Sequence, residues 1–249
     1  MNKNYITKEA WSKIYNFLKS KKNINIKDEK RTKLFVNGVF WLVKTGAQWR
    51  ELHSYYGNWN TVFKRFNRWS RKKIWEEMLQ YCAAEKDLEY VMIDSTIIRA
   101  HACSAGYDFL NKEKLGRSVG GFTTKLHALV DALGLPFKFF LTEGKVHDSK
   151  PSYNLLRGIN NSYILADKAY GGKKLRKQIR SQNCIDVIPS KKNALHSVNY
   201  DKIIYKERHL IECMFGKIKH FRRVFVRYEK TAQNFLSFVS FVGVILWLR

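Results

Sequence analysis

The sequence predicts two parts: an all-α, helix-turn-helix-like module over residues 1–87 and an α/β layered domain over residues 88–249. In the first part, apolar residues recur at the three- and four-residue spacing of amphipathic helices. From residue 88 onward, short apolar runs typical of strands alternate with helical segments in the order βββαβαβα. A chain of 249 residues is long enough for both parts to bury a core.

The first part contains four predicted helices. Thr7 can cap the first helix, Thr45-Gly46 can end the second, and Asn60 or Thr61 can open the third. The predicted helical segments are residues 8–19, residues 27–44, a third through Trp69, and residues 74–85.

Basic side chains are concentrated on the third predicted helix. Arg65, Arg68 and Arg71 lie on it, and two lysines follow directly. Several short helices with a basic third one are typical of helix-turn-helix modules, in which one helix contacts DNA. A helical bundle with a solvated basic face is the alternative interpretation.

Three strands joined as a meander open the second part, and two more strands alternate with helices after it. The predicted strands are residues 90–99, 122–131, 136–142, 162–166 and 185–188. Helices are predicted from His147, over residues 172–183 and from Tyr205, and residues 101–121 are predicted to form a loop. The apolar run 235–248 has only 14 residues, too few to span a bilayer, and predicts a buried core helix.

The chain carries a large positive charge. Lys and Arg number 46 against 21 Asp and Glu, which gives +25 at pH 7. A charge of this size indicates a polyanionic partner, usually nucleic acid. Compositional drift toward lysine is the alternative, but it accounts poorly for Arg222, Arg223 and Arg227. The four cysteines lack metal-ligand spacing and no signal peptide is visible, so we expect a cytoplasmic protein with reduced thiols.

Three carboxylates are candidates for metal binding. Asp94 lies in the middle of an apolar strand, where an unpaired charge is costly, and Asp167 follows the end of a later strand. Glu212 lies on a helix that can pack across those strand ends. Together they can hold two divalent ions, Mg²⁺ or Mn²⁺, for an in-line phosphoryl displacement. The alternative for either aspartate is a structural hydrogen bond at a strand end.

The segment 205–219, YKERHLIECMFGKIK, combines an apolar face with a polar edge. At helical spacing, Tyr205, Arg208, Glu212 and Lys219 lie within roughly a 60° arc. A carboxylate flanked by cations suits a metal ion and a phosphodiester together. An ordinary amphipathic helix with ion pairs between successive turns is the alternative.

These residues and the motifs around them resemble the transposases of insertion-sequence family 5, within the DDE group of ribonuclease-H-like enzymes. The resemblance covers nearly the whole chain and is carried by FVNGVFWLVKTGAQWRELHSYYGNWNTVFKRFNRW, VMIDSTIIRAH, GRSVGGFTTKLHALVDALGLPFKFFLTEGKVHDS, ILADKAYGG and IECMFGKIKHFRRVFVRYEK. It implies a ribonuclease-H-like mixed sheet flanked by helices, with Asp94, Asp167 and Glu212 as the metal-binding catalytic triad. It also implies Mg²⁺ as the cofactor, with Mn²⁺ as a substitute. Val119 and Gly171 depart from the Arg and Asp that relatives often carry.

The resemblance further implies a DNA transposase that cuts at the ends of an insertion sequence and joins the freed 3′-hydroxyl to target DNA. The strands would be cut by water and joined by transesterification, without a covalent protein intermediate. The partner would be double-stranded DNA, bound by a homodimer or larger assembly at the nucleoid, away from any membrane. A nuclease of the same fold without strand transfer and a catalytically inactive DNA-binding copy are the alternatives.

Further residues are expected to contact DNA or to support the metal ligands. Arg208 and Lys219 are expected to bind phosphates, and Tyr205 to pack against a base or a phosphate at the element's end. Lys125 is expected to contact DNA, with structural hydrogen bonding as the alternative. The same roles stay open for three further residues, His127, His147 and Asp148.

Overall fold

A computed structural model describes residues 6–26, 28–104, 113–118, 121–191 and 198–249. The N-terminal part is helical, as predicted. Its helices are α1 (Lys8–Ser20), α2 (Glu29–Thr45), α3 (Trp59–Arg71) and α4 (Ile74–Cys82). Two short 3₁₀ turns, Trp49–Glu51 and Ser54–Tyr56, lie between α2 and α3.

Local sequence signals set the limits of these helices. Oγ1 of Thr7 accepts a 3.2 Å hydrogen bond from the amide three residues on, so Thr7 caps α1 as predicted. Gly46 ends α2 in the left-handed conformation, at φ +73°. The predicted start of α3 is wrong, because Oδ1 of Asn58 accepts from the amides of Asn60 and Thr61 and the helix begins one residue after Asn58.

The second part contains strands and helices that alternate along the described residues. In chain order these are β1 (Tyr90–Ala100), β2 (Gly116–Ser118), β3 (Gly121–Val130), β4 (Pro136–Glu143), α5 (Ser149–Leu155), β5 (Tyr163–Leu165), α6 (Lys173–Ser181), β6 (Ile185–Val187), α7 (Lys202–Tyr205), α8 (His209–Lys219), α9 (Arg222–Phe225), β7 (Val226–Arg227) and α10 (Ala232–Trp247).

The strands form one mixed sheet. β3 lies antiparallel between β1 and β4, and β5 and β6 continue the sheet in parallel with β1, so the main order is β4-β3-β1-β5-β6. The short strands lie at the margins, where β2 pairs with the start of β3 and β7 with the end of β1. An antiparallel meander followed by parallel strands with helical crossovers is the ribonuclease-H-like arrangement. The predicted fold class is therefore confirmed.

Helix α10 lies at the centre of the apolar core. It packs against α3 and α4 of the helical part and against β4 of the sheet. Phe235, Phe238 and Phe241 are fully buried on it, which confirms the predicted core helix. One apolar cluster therefore runs from the N-terminal helices into the sheet. None of the described helices has the length and apolar character that crossing a membrane requires.

Some expectations differ from the structure. β2 lies within the predicted loop 101–121, of which residues 105–112 and 119–120, including Val119, lie outside the described part. β7 has two residues, too few for a periodic signal. The segment 205–219 is not one helix, because a 3₁₀ turn, Lys206–Arg208, separates α7 from α8. Lys27, the predicted start of α2, lies outside the described residues.

Candidate active site

Asp94 and Asp167 lie next to each other where β1 runs past the carboxyl end of β5. The parallel register pairs Met92 with Leu165. Asp94 is the second residue after Met92, and Asp167 is the second residue after Leu165. Neighbouring strands are about 4.8 Å apart, so the two residues are close neighbours at this edge. The carboxyl end of a parallel strand is the usual position of a site in α/β proteins.

A backbone amide orients each of the two carboxylates. Oδ1 of Asp94 accepts a 2.8 Å hydrogen bond from the amide of Ser95. Oδ1 of Asp167 accepts a 2.8 Å bond from the amide two residues on and so caps the 3₁₀ turn Lys168–Tyr170. Burial raises the pKa of Asp94, and the negative charge of Asp167 raises it further. The hydrogen bond from the Ser95 amide lowers this pKa, but by less than burial raises it. A nearby cation stabilises the charge of such a half-buried carboxylate.

The cation next to Asp94 is Arg208. Its guanidinium donates to Oδ2 of Asp94 at 2.9 Å and also to Oε1 of Glu212, one helical turn further along. Burial acts to lower the pKa of Arg208, but the charges of Asp94 and Glu212 hold it above its usual value. Tyr205 packs beside this guanidinium, with its ring centroid 5.9 Å from the central carbon. These contacts join α8 to β1.

Lys219 does not belong to this cluster. It lies seven residues beyond Glu212, roughly 10 Å along the axis of α8. The other three residues of the predicted arc, Tyr205, Arg208 and Glu212, do lie together. They do so although a 3₁₀ turn interrupts the single helix that was predicted for them. The side chain of Glu212 is 56% exposed, so it has room to move away from Arg208.

The oxygen atoms of this cluster suit a divalent cation, but they do not converge on one point. Among the described residues, no three His, Cys, Asp or Glu side chains are close enough together to bind a metal ion. The positive charge between Asp94 and Glu212 is the guanidinium of Arg208, which pairs with both carboxylates. Carboxylate oxygens are the ligands that Mg²⁺ and Mn²⁺ prefer. The donor set therefore suits such a cation in its chemistry, and in this structure Arg208 pairs with two of the three carboxylates.

Lys125 is turned into the protein. Its ammonium donates to the Val146 carbonyl at 2.7 Å and pairs with Oδ1 of Asp148 at 2.7 Å, and only 11% of the side chain is exposed. These contacts favour internal hydrogen bonding, the alternative to the predicted DNA contact. The same Oδ1 accepts from Ser95, a residue that the sequence analysis did not single out. The sequence signal that could have identified Ser95 is its position directly after Asp94 in an apolar strand.

The three arginines of α3 differ in their surroundings. Arg65 donates to Oγ1 of Thr32 at 2.9 Å, and its guanidinium carbon lies 4.5 Å from the ring centroid of Phe35. Burial and the neighbouring charge of Arg68 lower the pKa of Arg65 to about 10. Arg68 and Arg71 are exposed. These contacts give Arg65 a structural role beside its predicted DNA contact, which stays a prediction, as do the DNA contacts of Arg68 and Arg71.

Adjoining aspartates on a ribonuclease-H-like sheet, with a glutamate held beside them on a later helix, define a class of metal-dependent phosphoryl-transfer enzymes. Comparison with known families specifies the class further. Residues 85–246, which contain all three carboxylates, match the family described as "Transposase DDE domain", and residues 6–79 match "Putative transposase of IS4/5 family". The chain belongs to the DDE-domain transposases, a family of DNA transposases of insertion sequences, as its motifs indicated.

Two curated bacterial proteins are similar to this chain. "Putative transposase for insertion sequence element IS6501" of Brucella ovis is 42% identical over 130 residues, which are 51% of this chain and 99% of that protein. "Uncharacterized protein y4sN" of Sinorhizobium fredii is 35% identical over 98 residues, 39% of this chain and 78% of that protein.

Among solved structures, the piggyBac transposase synaptic complex with hairpin DNA has a TM-score of 0.42 at 12% identity. The match covers 76% of this chain and 48% of that one, so this chain spans about half the length of that protein. The catalytic domain of Mos1 mariner transposase has a TM-score of 0.28 at 13% identity, over 73% of this chain and 90% of that one.

Proposed function

We propose that this transposase cleaves DNA at the ends of an insertion sequence and joins the freed 3′-hydroxyl to target DNA, with Asp94, Asp167 and Glu212 as ligands of Mg²⁺. The observation that carries the proposal is the adjacency of Asp94 and Asp167, with Glu212 linked to Asp94 through Arg208. When bound, divalent cations activate the attacking hydroxyl and stabilise the leaving oxygen. Mn²⁺ is expected to substitute, because it accepts the same oxygen ligands.

The cationic side chains around the site act on the DNA. Once Arg208 leaves the carboxylates, its planar fork of donors can bind a phosphate in a bidentate manner. Tyr205, which packs beside Arg208, is then placed to contact a base or phosphate at the element's end. Lys219 and the exposed Arg68 and Arg71 hold further backbone phosphates, so binding weakens steeply as salt rises.

Joining two ends requires two active sites held together, so the active form is a homodimer or larger assembly on paired ends of double-stranded DNA. Such an assembly acts at the nucleoid, in the cytoplasm. Sedimentation of the protein–DNA complex measures the number of protomers. A single protomer that still joins two ends would refute this assembly.

Charge-removing substitutions test the reaction and its residues. Asp94→Asn, Asp167→Asn and Glu212→Gln each keep the size of the side chain and remove one negative charge. Each should lose cleavage and strand transfer on labelled end DNA by at least about 10³-fold, and combined losses should be non-additive because the three act as a unit. Gel shifts on the same preparations should show that DNA binding survives.

The outcomes separate the alternatives. Near-normal cleavage by a folded variant would remove that residue from the triad. Cleavage by the wild-type chain without joining would favour a nuclease that lacks strand transfer. DNA binding without any cleavage would favour an inactive DNA-binding copy.

A further inference from the structure

The side chain of Asp148 is turned away from its own helix. Asp148 directly precedes α5 with helical backbone angles, φ −59° and ψ −33°, and its side chain makes no capping hydrogen bond. Its Oδ1 instead accepts a 2.8 Å hydrogen bond from Oγ of Ser95 and pairs with Lys125. These contacts tie the start of α5 to β1 and β3.

Ser95 links Asp148 to the proposed metal ligand Asp94. The hydroxyl of Ser95 donates to Asp148, and its backbone amide donates to Oδ1 of Asp94 at 2.8 Å. Adjacent residues of a strand point to opposite faces of the sheet. Asp94 faces Arg208, whereas Ser95 faces Asp148 at the start of α5. The hydrogen-bond chain therefore supports Asp94 from the opposite face of the sheet.

Tyr170 lies in the same cluster on the side of Asp167. Its side chain is fully buried, and its hydroxyl lies beside the side chain of Ser95, which acts to lower the pKa of Tyr170. Burial raises the pKa of Tyr170, and the charges of Asp94, Asp148 and Asp167 raise it further, so its hydroxyl lies near all three carboxylates. Tyr170 also ends the 3₁₀ turn that Asp167 caps. Ser95 and Tyr170, which lie beside Asp148, are thus also neighbours of Asp94 and Asp167.

We propose that Asp148 is a positioning residue for the transposase reaction, which acts through Ser95 to hold Asp94 in the orientation that metal binding needs. This inference rests on the proposed function, because it concerns the same carboxylates. Partners that orient a metal ligand from outside are typically worth roughly 10- to 100-fold in metal affinity or activity. The competing explanation is that Asp148 and Lys125 form an ion pair that only ties β3 to the turn before α5.

Four substitutions separate the two explanations. Asp148→Ala and Ser95→Ala break the hydrogen-bond chain at different links. Lys125→Met removes the ion pair but leaves the bond between Ser95 and Asp148. Lys145→Ala is the matched control, because Lys145 is 71% exposed on the same turn and pairs only loosely, at 3.4 Å, with Glu143.

The first measurement is Mn²⁺ binding to the DNA-free full chain, followed by electron paramagnetic resonance of the free ion. Asp148→Ala and Ser95→Ala should each weaken Mn²⁺ affinity by about tenfold or more, and the double variant should be no weaker than the worse single one. Lys125→Met should lower the melting temperature with a smaller effect on Mn²⁺. Lys145→Ala should bind Mn²⁺ as the wild type does.

The second measurement is cleavage of end DNA at several Mn²⁺ concentrations. Asp148→Ala should lower kcat at low Mn²⁺, recover partly at high Mn²⁺, and leave KM for DNA unchanged. Should Asp148→Ala fail to fold, Ser95→Ala carries the same test, since it removes only one hydroxyl.

Wild-type Mn²⁺ affinity in Asp148→Ala or Ser95→Ala, with only the melting temperature reduced, would overturn the positioning role. So would an absence of Mn²⁺ binding by the wild-type chain. If the wild-type chain binds Mn²⁺ but cleaves no DNA, the proposed function fails, and the comparison of Mn²⁺ affinities still decides the role of Asp148.

Discussion

Arg208 donates a 2.9 Å hydrogen bond to Oδ2 of Asp94, which lies 114 residues earlier in the chain. Asp94 lies in the middle of β1, and Arg208 ends the 3₁₀ turn before α8, so this contact ties the helix to the sheet at the candidate site. The same guanidinium pairs with Glu212. Arg208 therefore neutralises two of the three carboxylates proposed as metal ligands and competes with a metal ion for them.

Removing Arg208 should have opposite effects on metal binding and on catalysis. In Arg208→Gln, Mn²⁺ affinity of the DNA-free chain should rise by roughly 2- to 5-fold, because a part-exposed ion pair is worth up to about 1 kcal/mol. Cleavage of end DNA should slow, because no guanidinium then holds the phosphate. A Mn²⁺ titration without DNA and a cleavage assay measure the two effects. Weaker Mn²⁺ binding by this variant would show that Arg208 does not compete with the metal.

The arginines of α3 should separate DNA binding from stability. Arg68→Ala should weaken DNA binding and reduce the salt slope by about one, because an exposed phosphate contact is lost. Arg65→Met should lower the free energy of unfolding by about 1–3 kcal/mol, because the hydrogen bond to Thr32 is lost, and leave the salt slope unchanged. Fluorescence anisotropy at several KCl concentrations and urea unfolding provide the measurements. A reduced slope in Arg65→Met would show that Arg65 contacts DNA.

His127 should make stability depend on pH. Burial lowers the pKa of His127 from 6.5 to about 4, so below pH 6.5 the unfolded chain takes up a proton that the folded chain does not. His127 should therefore cost stability progressively as pH falls from 6.5 to 4, by about 3 kcal/mol in total, and nothing further below pH 4. His127→Gln should show a shallower loss across this window in urea unfolding. Parallel curves for the two proteins would contradict the expectation.

Gly243 allows α10 to pack closely between α4 and β4. A Cβ at Gly243 would lie 2.9 Å from Cδ1 of Leu79 and 3.0 Å from Cε2 of Phe139. Gly243→Val should therefore lower the free energy of unfolding by about 1–3 kcal/mol through overpacking. Gly216→Ala in α8 is the control: nothing lies within 4 Å of its Cβ position, so it should gain about 0.5–1 kcal/mol. Thermal unfolding of both variants measures these changes in stability. A stabilised Gly243→Val would disprove the close contact.

Much of the fold was open to prediction because its signals are local. Alternating and continuous apolar runs identified β1, β3 and β4, and an uninterrupted apolar stretch identified α10. The two short strands β2 and β7 carry no such signal, because a strand of two or three residues has no measurable period. The start of α3 was missed because Asn58 and Asn60 are equally good capping residues by composition.

The sequence by itself determined which residues are the candidates for the chemistry: Asp94 and Asp167 stand out as carboxylates in or directly after apolar strands, and Glu212 through its motif. Only the tertiary structure decided how the cations are used. It turned Lys125 inward to Asp148 and placed Arg208 between carboxylates. The reason is physical: a long charged side chain takes the partner that is nearest in space and least solvated. That partner is here set by strand register and helix packing between segments far apart in the chain.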